Sequence, residues 1–209
     1  MKIAESHLAR TVIASTWIYS TRLLGLGFTA LLIAKLGIAD YGKYALGVAA
    51  AATINAAIDN AFYVRSLRID EDRFERERCA RVLFGSVIGI IGVVCFLDWY
   101  VVGFAIVVAA GELLFNAFKS QYLRAGRPDV ATRFDAIRQP ASIAPAAAYL
   151  FLAGEPHLGI ATALYVAPYA VIMVVCLRYI PGRRPALPGG RREIFILSTE
   201  ALAAAIYGQ

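Results

Sequence analysis

The sequence predicts an all-α fold: a polytopic membrane protein whose apolar segments form a six-transmembrane-helix bundle. Three observations carry this. The 209 residues are 59% apolar and 17% charged, with a mean hydropathy of +0.62, whereas a soluble domain is about 45–50% apolar and about 25% charged. The apolar residues stand in long blocks with short charged gaps between them, and about 20 such residues, rising about 1.5 Å each, cross roughly 30 Å of hydrocarbon. Finally, lysine and arginine collect in alternate gaps, as they do on the cytoplasmic side of a membrane.

The first span covers about 11–34 and is interrupted by Arg22. Lys2 and Arg10 precede it as in a signal peptide, but the apolar run is long and no small-x-small cleavage site follows a short core, so the span is expected to stay. The second, about 44–64, carries Asn55, Asp59 and Asn60. The connection 66–81 alternates acid and base, with Asp72 and Arg76, and Glu77 and Arg81, four apart. Such pairs support a helix, read here as a solvated extension of the third span.

The third span, 82–97, holds Gly85 and Gly89, and the second holds Ala49 to Ala52, Ala56 and Ala57, small residues that let backbones approach. Asp98, Trp99 and Tyr100 make an outer turn, its aromatics suited to the interface. The fourth span, 101–118, has Glu112 about midway and Asn116 one turn on. The fifth, 132–153, is less apolar and opens with Arg133, Asp135, Arg138 and Gln139. Pro140 and Pro145 in it, and Pro168 in the sixth span (158–177), remove backbone donors and are expected to bend those helices. A stretch at 194–207 begins a seventh span and stops short. The expected domains are a six-helix lobe over 1–180 and, over 181–209, a cytoplasmic linker with the start of a truncated seventh helix.

Orientation follows from the gaps. Arg65, Arg68, Arg73, Arg76, Arg78 and Arg81 follow the second span, Lys119, Arg124 and Arg127 the fourth, and Arg178, Arg183, Arg184, Arg191 and Arg192 the sixth. These loops belong inside, as does the N-terminus, so a multi-pass protein of the cell inner membrane is expected. The net charge of +6 is dispersed among them, without the aromatic-studded basic face of a nucleic-acid binder. Cys79, Cys95 and Cys176 lack metal or redox spacing and are expected to be free thiols. His7 and His157 fall at opposite ends of the bilayer, and neither a nucleophile–base motif nor a phosphate loop occurs. Neither a cofactor nor enzymatic activity is expected.

Each charge inside a span costs at least about 2.5–3.5 kcal/mol at mid-helix. The candidate substrate-binding residues are therefore Arg22, Asn55, Asp59, Glu112, Arg133 and Arg138, with Asn55 and Asp59 on one helix face. One reading is a wet bundle interior, a pathway for a charged, hydroxyl-rich substrate. The other is that Arg22 merely neutralises Asp59 or Glu112, while Arg133 and Arg138 snorkel to headgroups.

Three stretches carry a family resemblance: Arg22-Leu-Leu-Gly-Leu-Gly-Phe28 with Ala34-Lys-Leu-Gly-Ile-Ala-Asp-Tyr-Gly-Lys-Tyr44, then Gln121-Tyr-Leu-Arg-Ala-Gly-Arg127, then the outer turn Gly154 to Gly159. Through them the chain resembles the polysaccharide-biosynthesis flippases of the multidrug/oligosaccharidyl-lipid/polysaccharide exporter superfamily. The resemblance implies one lobe of a twelve-or-more-helix exporter. Such a protein moves an undecaprenyl-pyrophosphate-linked oligosaccharide from the inner to the outer leaflet, by alternating access, for polysaccharide or O-antigen (lipopolysaccharide) biosynthesis. It also implies a cationic cavity, to which Arg22, Arg133 and Arg138 correspond by position. Since the chain stops where a second lobe would start, it is expected to be a fragment, a truncated product or a half that associates. The partners expected are membrane lipids, the lipid-linked oligosaccharide, and a second six-helix lobe or glycan-assembly proteins. The alternatives are a cation-coupled drug exporter of the same superfamily and a non-transporting membrane subunit of a glycan-synthesis complex.

Overall fold

The computed structural model describes residues 2–66, 68–178, 184–186, 195, 196 and 199; side chains are described from residue 15 onwards, except 18, 60–64 and 66. Most of 181–209, including the expected seventh span apart from residues 195, 196 and 199, and the side chains of His7 and Asn60 lie outside the described residues. What is described is helical: α1 (Lys2–Leu36), α2 (Ile38–Ser66), α3 (Glu71–Asp98), α4 (Tyr100–Arg124), α5 (Pro128–Leu152) and α6 (Leu158–Arg178).

Local chemistry sets the helix ends. Gly37 separates α1 from α2 at φ 82, a left-handed conformation that glycine adopts without a Cβ penalty. After α4, the Arg127 N–H donates to the Tyr122 carbonyl (2.8 Å) and the Gly126 N–H to that of Leu123 (3.0 Å), with Gly126 at φ 69. That is a Schellman ending, with glycine at its left-handed position. Asp70 caps α3 by accepting from the Arg73 N–H at 2.9 Å, and Pro128 opens α5, where its missing N–H matters least. Pro140, Pro145 and Pro168 lie inside continuous helices.

The helices sort into two compact units, 1–42 with 121–168 and 43–120 with 169–209. In the first unit, α1 packs along α5. A Cβ on Gly25 would lie 3.7 Å from Gln139 Nε2, and further along both helices Lys35 Nζ sits 5.3 Å from the centre of the Phe151 ring. The two helices therefore run parallel. Phe28 stacks on Tyr165 of α6, ring centres 5.5 Å apart, and Leu32, Ala146, Leu150 and Ala161 are fully buried. The α5–α6 turn is closed by the His157 N–H donating to the Tyr149 hydroxyl at 3.0 Å.

α4 is the centre of the second unit, with Phe104, Ala105, Ala109, Ala110, Leu113, Leu114, Phe115 and Ala117 all buried. α3 lies antiparallel on it through the glycines expected to permit close approach. A Cβ on Gly85 would come within 3.1 Å of Leu114, on Gly89 within 3.6 Å of Ala110 and on Gly92 within 2.8 Å of Ile106. α2 runs parallel to α4, from Tyr44 against Phe104 (ring centres 5.6 Å apart) to Asp59 against Asn116. The last part of α6 is parallel to it too, since Tyr169 covers Gly111 and Cys176 reaches the Leu114 carbonyl. The opposite side of α3 exposes Phe84, Val87, Ile91, Val94 and Leu97.

α1 over Ser15–Leu36, α3, α4 and α6 are each long and apolar enough to cross a membrane. α5, with Arg133, Asp135 and Arg138, falls short of that standard, and so does α2, with Asp59, over its described residues. A backbone cannot lie unpaired in hydrocarbon, and helices with this much exposed apolar surface are a membrane protein's solution.

Candidate functional site

The charged groups of the second unit form a ladder along α2, α3 and α4. Asp59, Arg65, Glu77 and Arg81 are each only 4–6% exposed. Ionised groups this deep need partners, and they have them. One oxygen of Asp59 accepts from Arg81 Nη2 and the other from Asn116 Nδ2. Glu77 accepts from Arg65 Nη2 at 3.3 Å and from Arg73 Nε at 3.1 Å.

The sequence positions explain the geometry. The chain turns back between α2 and α3, so moving back along α2 and forward along α3 brings residue 65 to residue 77 and residue 59 to residue 81. Each helix carries an acid followed by a base, and antiparallel packing sets acid against base at both levels. The extension 71–81 is helical as expected but is only partly solvated, because Glu77 and Arg81 turn inward. Glu77 pairs with Arg65 and Arg73, and Arg81 with Asp59, rather than as the local pair the spacing suggested.

A second polar pair lies deeper. Glu112 stands 12 residues from each end of α4, about 18 Å at about 1.5 Å per residue. Its Oε1 accepts from the Tyr169 hydroxyl at 2.5 Å. The Tyr169 ring reaches it by lying on bare backbone: a Cβ on Gly111 would come within 2.3 Å of Tyr169 Cγ. Asn116 is one turn from Glu112 on the same face, so α4 meets both the Asp59–Arg81 pair, through Asn116, and Tyr169, through Glu112.

Of the residues singled out from sequence, Asn55, Asp59 and Glu112 belong to the second unit, and Arg22, Arg133 and Arg138 to the first. The structure joins Asp59 to Asn116 and Arg81, and Glu112 to Tyr169. Asn55 is half-buried, one turn before Asp59; Arg22 and Arg133 are exposed; Arg138 is half-buried. The partners missed from sequence are Arg65, Glu77, Arg81 and Tyr169. Acid and base four apart at 77 and 81, facing acid and base at 59 and 65 across a short turn, is the signal that could have found the first three.

The ladder sets the Asp59 and Glu77 carboxylates beside the Arg81 and Arg65 guanidinium groups, and Cys79, Cys95 and Cys176 are free thiols. It can anchor helices or present polar groups within the bilayer. No protein-family model matches the chain, and neither curated proteins nor solved structures yield a match.

Proposed function

We propose that the chain is a six-span membrane lobe of a transporter that moves a lipid-linked (undecaprenyl-pyrophosphate) oligosaccharide from the inner to the outer leaflet. Its N-terminus lies in the cytoplasm and its membrane is the cell inner membrane. The observation that carries a transport reading is Glu112, a half-buried carboxylate at the middle of the most buried span. An ionisable group at that depth marks a polar interior rather than a lipid face. The six-span count is supported by helix direction. α2 tracks α4 from Phe104 to Asn116, about 18 Å, and α5 runs parallel to α1. Each of the two polar helices thus accompanies an apolar one through the membrane.

The anionic cargo rests on Arg22, Arg133 and Arg138 and on the sequence resemblance. Its test is Arg22→Ala and Arg138→Ala in cells whose surface glycan depends on the complete transporter. A guanidinium–phosphate contact contributes about 1.5–3 kcal/mol, so export is expected to fall about tenfold or more at normal protein level. Unchanged export would sink the cargo assignment. A second reading, a membrane subunit without transport of its own, is favoured by Asp59, Arg65, Glu77 and Arg81 satisfying one another within one unit.

A further inference from the structure

α2 is the helix whose place in hydrocarbon needs explaining. Its chain neighbour α3 meets the demands of a membrane span, whereas α2, over its described residues, does not. α2 carries Asp59, with Asn55 one turn earlier, and a lone buried carboxylate opposes insertion. Arg81 of α3 meets that carboxylate, Asn116 of α4 takes its second oxygen, and nearer the turn Arg65 of α2 meets Glu77 of α3. Two acids and two bases are thereby matched within one hairpin. The order of charges also fixes its register: a one-turn slip of α3 would carry Glu77 towards Asp59, acid against acid.

We infer that α2 crosses the membrane only as a hairpin with α3, because Arg81 and Glu77 supply the counter-charges to Asp59 and Arg65, buried groups that oppose insertion when unmatched. The pair is the inserting unit, and α3 is the member that drives it. This rests on α3 being a membrane span and is independent of the cargo, so a failed export experiment leaves it standing.

The test uses the full chain with Cys79, Cys95 and Cys176 replaced and a reporter cysteine at the exposed position 72 (Asp72→Cys). Intact cells are treated with a membrane-impermeant maleimide, and labelling is normalised to that of permeabilised cells. In the parent, position 72 is protected in intact cells. Arg81→Leu leaves Asp59 unmatched, so α2 stays on the outer side and the labelled fraction rises about tenfold or more. Should that protein fail to accumulate, Arg81→Gln is read in the same way. Asp59→Leu with Arg81→Leu restores protection although Arg81 is still missing, which separates pairing from the retention of positive charge inside. The exchange Asp59→Arg with Arg81→Asp restores it as well. Protection of position 72 in the single Arg81 variant, or labelling of the Asp59/Arg81 double-leucine variant equal to that of the single one, would overturn the inference.

Discussion

At the scale of residues, Asp59 and Arg81 show why a buried ion pair is asymmetric. Removing one partner leaves the other charge stranded, at about 3–5 kcal/mol, whereas replacing both with apolar groups of similar volume is close to neutral. Arg81→Leu is therefore expected to lower thermal stability in detergent far more than Asp59→Leu and Arg81→Leu together; equal losses would show that the pair is not coupled. Gly111 gives a second prediction. A methyl there would lie 2.3 Å from Tyr169 Cγ, and the ring cannot retreat without giving up its bond to Glu112. Gly111→Ala should cost about 1–3 kcal/mol in detergent melting, while Gly42→Ala, with nothing within 4 Å of its Cβ, should cost little. The depth of Asp59, Glu112 and Asn116 was legible from sequence because each interrupts an apolar block. Their partners were not. Tyr169 is 57 positions from Glu112 and reads as one more aromatic in an apolar run, while Arg81 reads as one of six arginines marking a cytoplasmic loop.

At the scale of elements, the apolar blocks located the six helices but not their ends. α3 was bounded at 82–97 by its apolar residues and runs from Glu71 to Asp98, because hydropathy delimits the hydrocarbon while capping delimits the helix. Asp70, capping α3, sets that start. The α3–α4 contact was half legible: Gly85 and Gly89 were singled out by their spacing, but the tighter approach is at Gly92. A Cβ there would lie 2.9 Å from the Val107 backbone nitrogen, whereas on Gly89 it would lie 3.6 Å from Ala110. Gly92→Ala is expected to destabilise by about 1–3 kcal/mol. Gly89→Ala should be neutral or slightly stabilising, since alanine favours a helix over glycine by up to about 1 kcal/mol. Melting of the two variants in the same detergent checks the order, and equal effects would contradict the close approach at Gly92.

At the scale of the whole molecule, the polarity of α2 and α5 decides what the chain is. Among the described residues four helices qualify as spans on their own; the alternation of basic gaps predicts six. α2 has an account in the charges it shares with α3. For α5, with Arg133, Asp135 and Arg138 in its first half, the case rests on its parallel course beside α1. If α5 crosses, its two flanking loops lie on opposite faces; if it lies on the surface, they lie on the same one. The most direct measurement places single cysteines at Ala125 and Glu155, both exposed, in a chain without its native thiols, and labels intact and permeabilised cells with an impermeant maleimide. Six alternating spans predict labelling at 155 in intact cells and at 125 only after permeabilisation. Labelling of both positions, or of neither, in intact cells would contradict the six-span lobe.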